Sequence, residues 1–348
     1  MIKRETFTKK NIDRIVEQYN IDYELGARAV FALGLVEALS KVNTKFIFKG
    51  GSSLMLLFGT PKRLSTDVDI LVEPDYDIES YLNKASEIFP FKGIEESKRI
   101  TNKKISKKHF KITYASTNSD RDLTVIVDVV FAQNHYSKLV HSPINNDLLL
   151  CEGEDYFVDI PCAESLLADK LTAFAPHTIG IKFCNDDYSN DKRLEVIKQF
   201  YDISCLFDLS KDFQIVKETY GKIATDEINY RSLTIKPTDC LLDTFNSALC
   251  IVSNGKYYPE DFKQFIIGFK KIIGHIIGKR LNINNATYDG GKIMFLATCL
   301  IKNIDPFNYR ITEQSLIENP DYNKVNFIKK IDQKSFNYIA SAIDIISK

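Results

Sequence analysis

The stretch FKGGSSLMLLFGTPKRLSTDVDILV, which runs from Phe48 to Val72, contains the pattern that predicts the fold of the amino-terminal half. Two glycines and two serines precede two aspartates, one residue apart, in a segment that otherwise has the composition of a buried β-strand. Burial of a carboxylate without a partner is costly, and two carboxylates on one face repel each other. We therefore expect a cation to compensate Asp67 and Asp69.

A third carboxylate is predicted on the same surface. Side chains alternate between the faces of a strand, so Asp67 and Asp69 point to one face, whereas Val68 and Ile70 point to the other. Asp128 stands inside the apolar run VIVDVV of a later predicted strand, which brings three carboxylates together if the two strands are neighbours. Oxygen ligands of this kind select Mg²⁺ or Mn²⁺ over zinc. The alternative is that each aspartate caps a strand or pairs with a nearby arginine or lysine.

The glycines and serines predict a phosphate site. Gly50 and Gly51 stand between a predicted strand and a predicted helix, where glycine lets the backbone turn tightly and approach a ligand. The helix amino terminus that follows offers free amides and the hydroxyls of Ser52 and Ser53 to a phosphate. Alone, this pattern is common at helix starts. Together with the DxD strand it indicates a phosphate cradle beside metal ligands, as nucleotidyl transfer requires.

The whole chain narrows the class of protein. Its 348 residues are enough for two or three domains, and its 46 basic and 46 acidic side chains cancel. Attraction to nucleic acid or membrane must therefore be local. No apolar run has bilayer-spanning length, and the chain begins MIKRETFTKK rather than with a signal peptide. Seven unpatterned cysteines indicate reduced thiols, so we expect a cytoplasmic protein with no membrane partner.

The hydrophobic period changes near residue 160. Strands are predicted at 45–48, 68–72, 109–115, 123–131 and 155–159, and helices at 11–42, 52–58 and 77–89. From Ala163 onward, helices are predicted at 163–175, 191–209, 212–228, 238–253, 259–279, 289–302 and 334–347. The pattern predicts an α/β amino-terminal half followed by a helical carboxy-terminal half.

The order of these motifs resembles a known superfamily. Gly-Ser, then DxD in a strand, then a third Asp in a later strand resembles the DNA polymerase β-type nucleotidyltransferases. More narrowly, FKGGSSL, RLSTDVDI, DKLTAFAPHTIGI and IKQFYDI resemble the AbiEii/AbiGii family, the nucleotidyltransferase-like toxins of abortive-infection and related toxin–antitoxin systems. The resemblance implies an α+β fold, in which a mixed-sheet, polymerase β-like domain (1–160) precedes a helical domain (161–348) that contributes residues to the site.

The resemblance also implies roles for individual residues. Those implied to bind the nucleotide are Gly51, Ser52, Ser53, Arg63, Ser65, Lys170 and Lys198. Those implied to be catalytic are Asp67, Asp69, Asp128, Lys170 and Asp202, of which the first three would hold the metal. The implied cofactor is Mg²⁺ (or Mn²⁺), and the implied partners are an NTP and a cognate antitoxin. Some members of the family transfer nucleotides onto tRNA 3′ ends, which implies an RNA acceptor and a block on translation and growth.

Two later motifs leave alternatives open. Lys170 falls among leucines on a predicted helix and either contacts the nucleotide phosphates or extends its ammonium into solvent. Lys198 and Asp202 are four residues apart, so they either face a ligand or form a surface ion pair. Family members often carry Lys-Asp-x-Tyr-Asp, whereas this chain has Gln199 at the second position. If that carboxylate is a base elsewhere, Asp202 has to serve here or the activity is reduced.

The stretch KRITNKKISKKHFK (98–111) is the one strongly basic segment of this neutral chain. It contains no acidic residue, and a polynucleotide acceptor needs such a local patch for its phosphates. The residues predicted to bind RNA are Lys103, Lys104, Lys107 and Lys108. The alternative is a solvated loop.

Two other functions compete with nucleotidyl transfer. A metal-dependent glycosyltransferase also uses DxD, but it gives no reason for the Gly-Gly-Ser-Ser turn or the later lysines. The second is a protein with the nucleotidyltransferase fold that binds RNA or a partner without turnover, and Gln199 leaves this alternative open.

Overall fold

The structure, a computed structural model, describes residues 1–97, 106–184, 190–278 and 281–348. The chain divides into two compact units. The first consists of Met1–Cys162 and Gly274–Arg280, and the second of Ala163–Ile273 and Leu281–Lys348. A short segment from the carboxy-terminal half of the chain thus belongs to the first unit. The sequence analysis did not predict this.

The first unit is built on a mixed sheet. Its strands are β1 (Ile47–Lys49), β2 (Val68–Val72), β3 (Phe91–Glu96), β4 (Ser106–Ala115), β5 (Asp122–Phe131), β6 (Leu139–Pro143) and β7 (Phe157–Pro161). Their order is β3-β4-β5-β2-β1-β7-β6, with β2 parallel to β5, β1 parallel to β7 and the other pairs antiparallel. The helices are α1 (Lys9–Tyr19), α2 (Tyr23–Lys41), α3 (Gly50–Leu57) and α4 (Ile78–Ser86), after a 3₁₀ turn at Arg4–Phe7. The predicted α+β class with a mixed sheet is confirmed.

One face of this sheet is the core of the unit. Val68 and Ile70 on β2 are fully buried, as are Val127 and Val129 on β5. Helix α2, whose residues 26–39 are nearly all buried, lies against the sheet, and its Phe31 ring stacks on Tyr114 of β4 with centroids 3.8 Å apart. Because side chains alternate along a strand, the aspartates next to these valines point to the opposite face.

Several predicted boundaries were wrong. The predicted helix 11–42 is two helices, because Asn20 adopts φ 50° and Asp22 accepts a hydrogen bond from the Leu25 amide (3.0 Å) as the cap of α2. Strands β3 and β6 were not predicted. Both are outermost strands of the sheet, and at least half of the residues in each are exposed to solvent. They therefore lack the apolar alternation of a central strand.

All the regular elements in the described residues of the second unit are helices or 3₁₀ turns. Its helices are α5 (Ala163–Ala173), α6 (Arg193–Leu209), α7 (Phe213–Tyr230), α8 (Pro237–Val252), α9 (Pro259–Lys271), α10 (Thr287–Lys302), α11 (Ile328–Ile331) and α12 (Gln333–Ser347), with 3₁₀ turns at Ile273–His275 and Asn323–Val325. Phe200 of α6 contacts Phe174 and Phe269, each at 5.7 Å between centroids, which joins α5, α6 and α9 around one aromatic core. The predicted helix 259–279 ends at Lys271.

Two findings bear on the class of protein. In the part of the chain that the structure describes, no helix combines the length and apolar composition needed to cross a membrane. The seven cysteines all lie in this part, and no disulfide joins them.

Candidate active site

Four polar residues form one row across the middle of the sheet. Asp69 on β2 is the Cα partner of Asp128 on β5, because the two strands are parallel and in register. Asp128 is in turn the partner of His109 on β4, and Asp69 is the partner of Lys49 on β1. Residues in register on neighbouring strands share a face, and the strands are about 4.8 Å apart. The row therefore reads His109–Asp128–Asp69–Lys49 on the face opposite the apolar core.

The glycine turn lies directly against this row. Gly50 follows Lys49 and opens α3 with φ 76°, a conformation that L side chains rarely adopt. A Cβ at Gly50 would overlap the Asp69 carboxylate, so glycine is what allows the helix start to approach the DxD strand. A Cβ at Gly51 would come within 2.6 Å of the Arg63 guanidinium and 2.7 Å of the Ser65 hydroxyl. The two glycines thus bring the separate motifs into contact.

Replacing Gly50 with alanine should therefore damage the site. The left-handed backbone costs an alanine about 1 kcal/mol, and the overlap with Asp69 adds roughly 1–3 kcal/mol of overpacking. We expect the free energy of unfolding, measured in urea, to fall by roughly 2–4 kcal/mol and NTP binding to be lost. Gly59→Ala is the control, because Gly59 has φ 67° but nothing within 4 Å of its Cβ position. Equal losses in the two variants would contradict the contact with Asp69.

The serines after the glycines connect the helix start to the strand. Both are fully buried. The Ser52 hydroxyl donates to the carbonyl oxygen of Asp67, and the Ser53 hydroxyl donates to that of Gly50 at 3.0 Å. The side chain at the N-cap position, Lys49, does not cap the first turn. Since the first amides of a helix lack intrahelical partners, the capacity of this turn to bind an anion resides in its backbone.

The R-x-S motif is held from two sides. Arg63 is buried, and its Nη1 donates to the carbonyl oxygen of Leu64 at 3.1 Å. The strand-like pairing of Arg63 with Ile276 includes a hydrogen bond of 2.7 Å from the Leu64 amide to the His275 carbonyl. The returning carboxy-terminal segment thus fixes the loop that carries Arg63 and Ser65.

The carboxylates can be tested against the metal that the family implies. Among the residues described, no three His, Cys, Asp or Glu side chains are placed to hold one ion together. The Asp128 Oδ1 lies 2.6 Å from the Nδ1 of His109 instead. Mg²⁺, however, is usually held by one or two carboxylates together with substrate phosphates, not by a cage of protein ligands. Asp67 and Asp69, beside a helix start whose amides can bind an anion, fit that mode.

The motif residues of helices α5 and α6 form contacts with one another inside the second unit. Lys170 on α5 and Asp202 on α6 have side chains 7% and 2% exposed, with Nζ and Oδ2 3.6 Å apart. Lys170 therefore does not extend into solvent. The predicted alternative of a Lys198–Asp202 pair was wrong, because Lys198 bonds Glu195 at 2.9 Å. Gln199 is buried and donates to the Glu195 carbonyl at 3.1 Å.

Helix α6 carries two further ionisable groups beside Asp202, neither of which titrates near neutral pH. Burial raises the pKa of the Tyr201 hydroxyl well above its usual value. Burial also raises the pKa of the Cys205 thiol to about 12, and the Asp202 charge adds to the shift. Both groups stay protonated, so Cys205 has no thiolate to act as a nucleophile.

The structure separates the two described lysines of the predicted RNA-binding set, whereas Lys103 and Lys104 lie outside the described residues. Lys107 and His109 are two residues apart on β4, so Lys107 shares the face of the carboxylate row. Lys108 is on the other face and forms an ion pair with Glu79 of α4. The hydrogen bond to Glu79 raises the pKa of Lys108.

Two members of the row, His109 and Lys49, were not predicted as site residues. The alternation of HFKITYA places Phe110, Ile112 and Tyr114 in the core, which assigns His109 to the outer face. That pattern alone does not say which strand lies beside β4. The contact between His109 and Asp128 depends on strand order and register, and the sequence specifies neither.

Two solved structures are similar to this chain. MenT4, a nucleotidyltransferase toxin from Mycobacterium tuberculosis H37Rv, is similar in fold, with a TM-score of 0.56 at 11% identity over 96% of this chain and 99% of that chain. JHP933 from Helicobacter pylori has a TM-score of 0.46 at 13% identity, over 79% of this chain and 93% of that chain. A comparison with curated proteins finds no match.

A family profile gives the assignment. The profile described as nucleotidyl transferase AbiEii toxin, type IV TA system, matches residues 34–266, which is more than half of the chain. The matched range includes the glycine turn, the DxD strand, Asp128, Lys170 and Asp202. The chain therefore belongs to the AbiEii nucleotidyl transferase toxin family.

Proposed function

We propose that this protein is a metal-dependent nucleotidyltransferase that transfers a nucleotide from an NTP to an RNA acceptor, a tRNA 3′ end. Transfer would block translation and growth, and a cognate antitoxin would counteract it. The observation that carries the proposal is the contact of the Gly50 turn with Asp69, beside Asp128 in register on the next strand. Triphosphate and metal sites then adjoin, as phosphoryl chemistry requires.

Each residue has a distinct role in this proposal. The backbone amides of Gly51 and its neighbours would bind triphosphate oxygens. Asp67 and Asp69 would hold the metal together with those oxygens, and Asp128, in register with Asp69 on the next strand, would be a further ligand. A bound Mg²⁺ or Mn²⁺ would neutralise phosphate charge and lower the pKa of the attacking hydroxyl. That hydroxyl oxygen would bond to the α-phosphorus as the bond to pyrophosphate breaks, and a carboxylate would accept the proton. Asp128 is suited to this because its side chain is 31% exposed and lies in register with Asp69.

Labelled NTPs, Mg²⁺ and total RNA, incubated with the purified protein, test the proposal. Label in RNA that disappears with EDTA would support metal-dependent transfer, and separation of the products by size would identify a tRNA acceptor. Transfer of sugar from a nucleotide sugar would support a glycosyltransferase instead, which the family assignment does not favour. Absence of both would overturn the proposal.

A protein that binds RNA or a partner without turnover is the second candidate. Gln199, where family members often have a carboxylate, favours it, since this amide is buried in a bond to the helix backbone. Lys170 and Asp202 are the charged residues that these motifs retain, and they form a buried pair. RNA binding without incorporation of label from any NTP would support this candidate.

Lys107 and Lys108, adjacent in sequence but on opposite faces of β4, give a sharp test of RNA binding. We expect Lys107→Gln to weaken RNA binding and to flatten its salt dependence, because Lys107 lies on the face of the carboxylate row. The slope of log affinity against log salt should fall by roughly 0.7 to 0.9 if one phosphate contact is lost. Substituting Lys103 and Lys104 as well should lower the slope further.

Lys108→Gln is the matched control, because Lys108 is adjacent in sequence but faces Glu79 on the other side of the sheet. It should leave the salt slope unchanged, and NTP affinity should stay constant in both variants. If Lys107→Gln retains the parent slope as well, the acceptor does not dock on this face.

A further inference from the structure

We propose that His109 is a positioning residue that fixes the orientation of Asp128 for metal binding in the DxD site. The proposal rests on the function proposed above. His109 contacts no triphosphate or metal in this assignment; it acts through Asp128.

The geometry is specific. His109 and Asp128 are Cα partners on antiparallel strands β4 and β5, and the imidazole Nδ1 lies 2.6 Å from the carboxylate Oδ1. The His109 side chain is only 14% exposed and that of Asp128 is 31% exposed. The imidazole is thus largely enclosed by the protein, whereas the carboxylate remains accessible to a ligand.

The contact has a chemical consequence for Asp128. An ionised carboxylate only accepts hydrogen bonds, so the imidazole must carry its proton on Nδ1. The bond engages Oδ1 and sets the rotation of the carboxylate, which leaves Oδ2 in a defined direction. Asp69 is directly beside Asp128, and the two like charges repel each other. Without the donor, we expect Asp128 to turn away from Asp69 in the absence of metal.

Hydrogen bonds of this kind matter for metal affinity. A partner that orients a ligating carboxylate typically changes metal affinity or activity by 10–100-fold when it is removed. The cost arises because a ligand that is free to rotate must be ordered when the metal binds.

The same sheet contains a matched control. His141 on β6 and Asp159 on β7 are also Cα partners, with Nδ1 and Oδ1 2.8 Å apart. This pair is 68% and 51% exposed, and Asp159 is in register with the apolar Ile47 instead of a second carboxylate. It reproduces the local bond without the DxD neighbour.

The test is Mn²⁺ binding by the full chain, followed through the electron paramagnetic resonance of free Mn²⁺ with no substrate present. His109→Leu should weaken Mn²⁺ binding by roughly 10–100-fold. His109→Asn should stay within about threefold of the parent, because its amide nitrogen is at the same δ position as Nδ1. His141→Leu should match the parent.

The outcomes separate this inference from the proposed function. If the parent binds no Mn²⁺, or if Asp69→Asn binds as the parent does, the proposed metal site is wrong and the inference falls with it. If the parent binds and His109→Leu binds equally well, only the role of His109 is overturned. Should His109→Leu fail to fold, His109→Gln decides the point: its amide is one atom further out, so binding equal to that of His109→Asn would overturn the δ-donor assignment.

Discussion

Replacing Asp67 or Asp69 with asparagine is expected to abolish nucleotide transfer while leaving the fold intact. Asp67 directly precedes β2 and Asp69 is its second residue, and both alternate with Val68 and Ile70 of the apolar core. Asp69 also lies directly against the glycine turn. An amide keeps the size of the side chain but removes the charge that would hold a divalent cation in the proposed site. Because metal-based charge stabilisation supplies several kcal/mol at the transition state, we expect a loss of roughly 10³-fold or more in transfer rate.

In the absence of metal, Asp69→Asn should not lower the free energy of unfolding, although it abolishes transfer. Asp69 lies beside Asp128, and like charges on neighbouring strands destabilise a sheet by roughly 0.2–1 kcal/mol. In EDTA, the urea unfolding free energy of Asp69→Asn should therefore equal or exceed that of the parent. In Mg²⁺ the order should reverse, because a ligand that binds only the native state stabilises it.

Asp122→Asn is a suitable control. Asp122 opens β5, the strand of Asp128, but forms an exposed pair with Lys92 at 2.7 Å. Transfer by this variant should equal that of the parent. Normal transfer by Asp67→Asn or Asp69→Asn would remove the basis for the metal site.

The central strands were predictable because burial leaves a strong pattern in their sequence. VDILV and LTVIVDVVF are apolar runs interrupted by charge, and both proved to be inner strands of the sheet. Strands β3 and β6 are at the two edges, where one side of each strand lacks a neighbour and selection for apolar residues is weaker. Their short, mixed sequences FKGIEE and LVHSP carry little of that pattern.

The site was predictable only in its local parts. The spacing of Asp67 and Asp69 defines a shared face, and the glycines define a turn, because both properties depend on neighbouring residues. Strand register depends on residues far apart in the sequence, so the alignment of His109 with Asp128 could not be predicted from the local pattern. The same is true of the segment at Ile276 that pairs with Arg63 from more than two hundred residues away.

Lys170 presents the clearest difference between pattern and structure. Its helical spacing among leucines is compatible with an ammonium in solvent, but the side chain is buried against Asp202. Sequence spacing gives no depth, and depth changes the expected effect of substitution. Removing one partner of a buried ion pair typically costs 3–5 kcal/mol, whereas exposed pairs are worth about 0–1 kcal/mol.

Lys170→Met is therefore expected to lower the free energy of unfolding by roughly 3–5 kcal/mol, because it removes the ammonium from beside a buried carboxylate. Loss of NTP transfer in this variant alone would not distinguish a binding role from instability. The double variant Lys170→Met/Asp202→Asn makes that distinction. It removes both charges and keeps the shape of the Asp202 side chain, so most of the lost stability should return.

Transfer should not return in the double variant if Lys170 binds the triphosphate as the family motif implies. Lys198→Met is the control for stability, since Lys198 pairs with the exposed Glu195 and its loss should cost less than about 1 kcal/mol. Urea unfolding and single-turnover transfer, measured on all four proteins, give the two readouts. Recovery of both stability and transfer in the double variant would show that Lys170 and Asp202 only hold α5 and α6 together. Recovery of stability without transfer would assign the Lys170–Asp202 pair to the reaction, because the remaining defect could not be attributed to the fold.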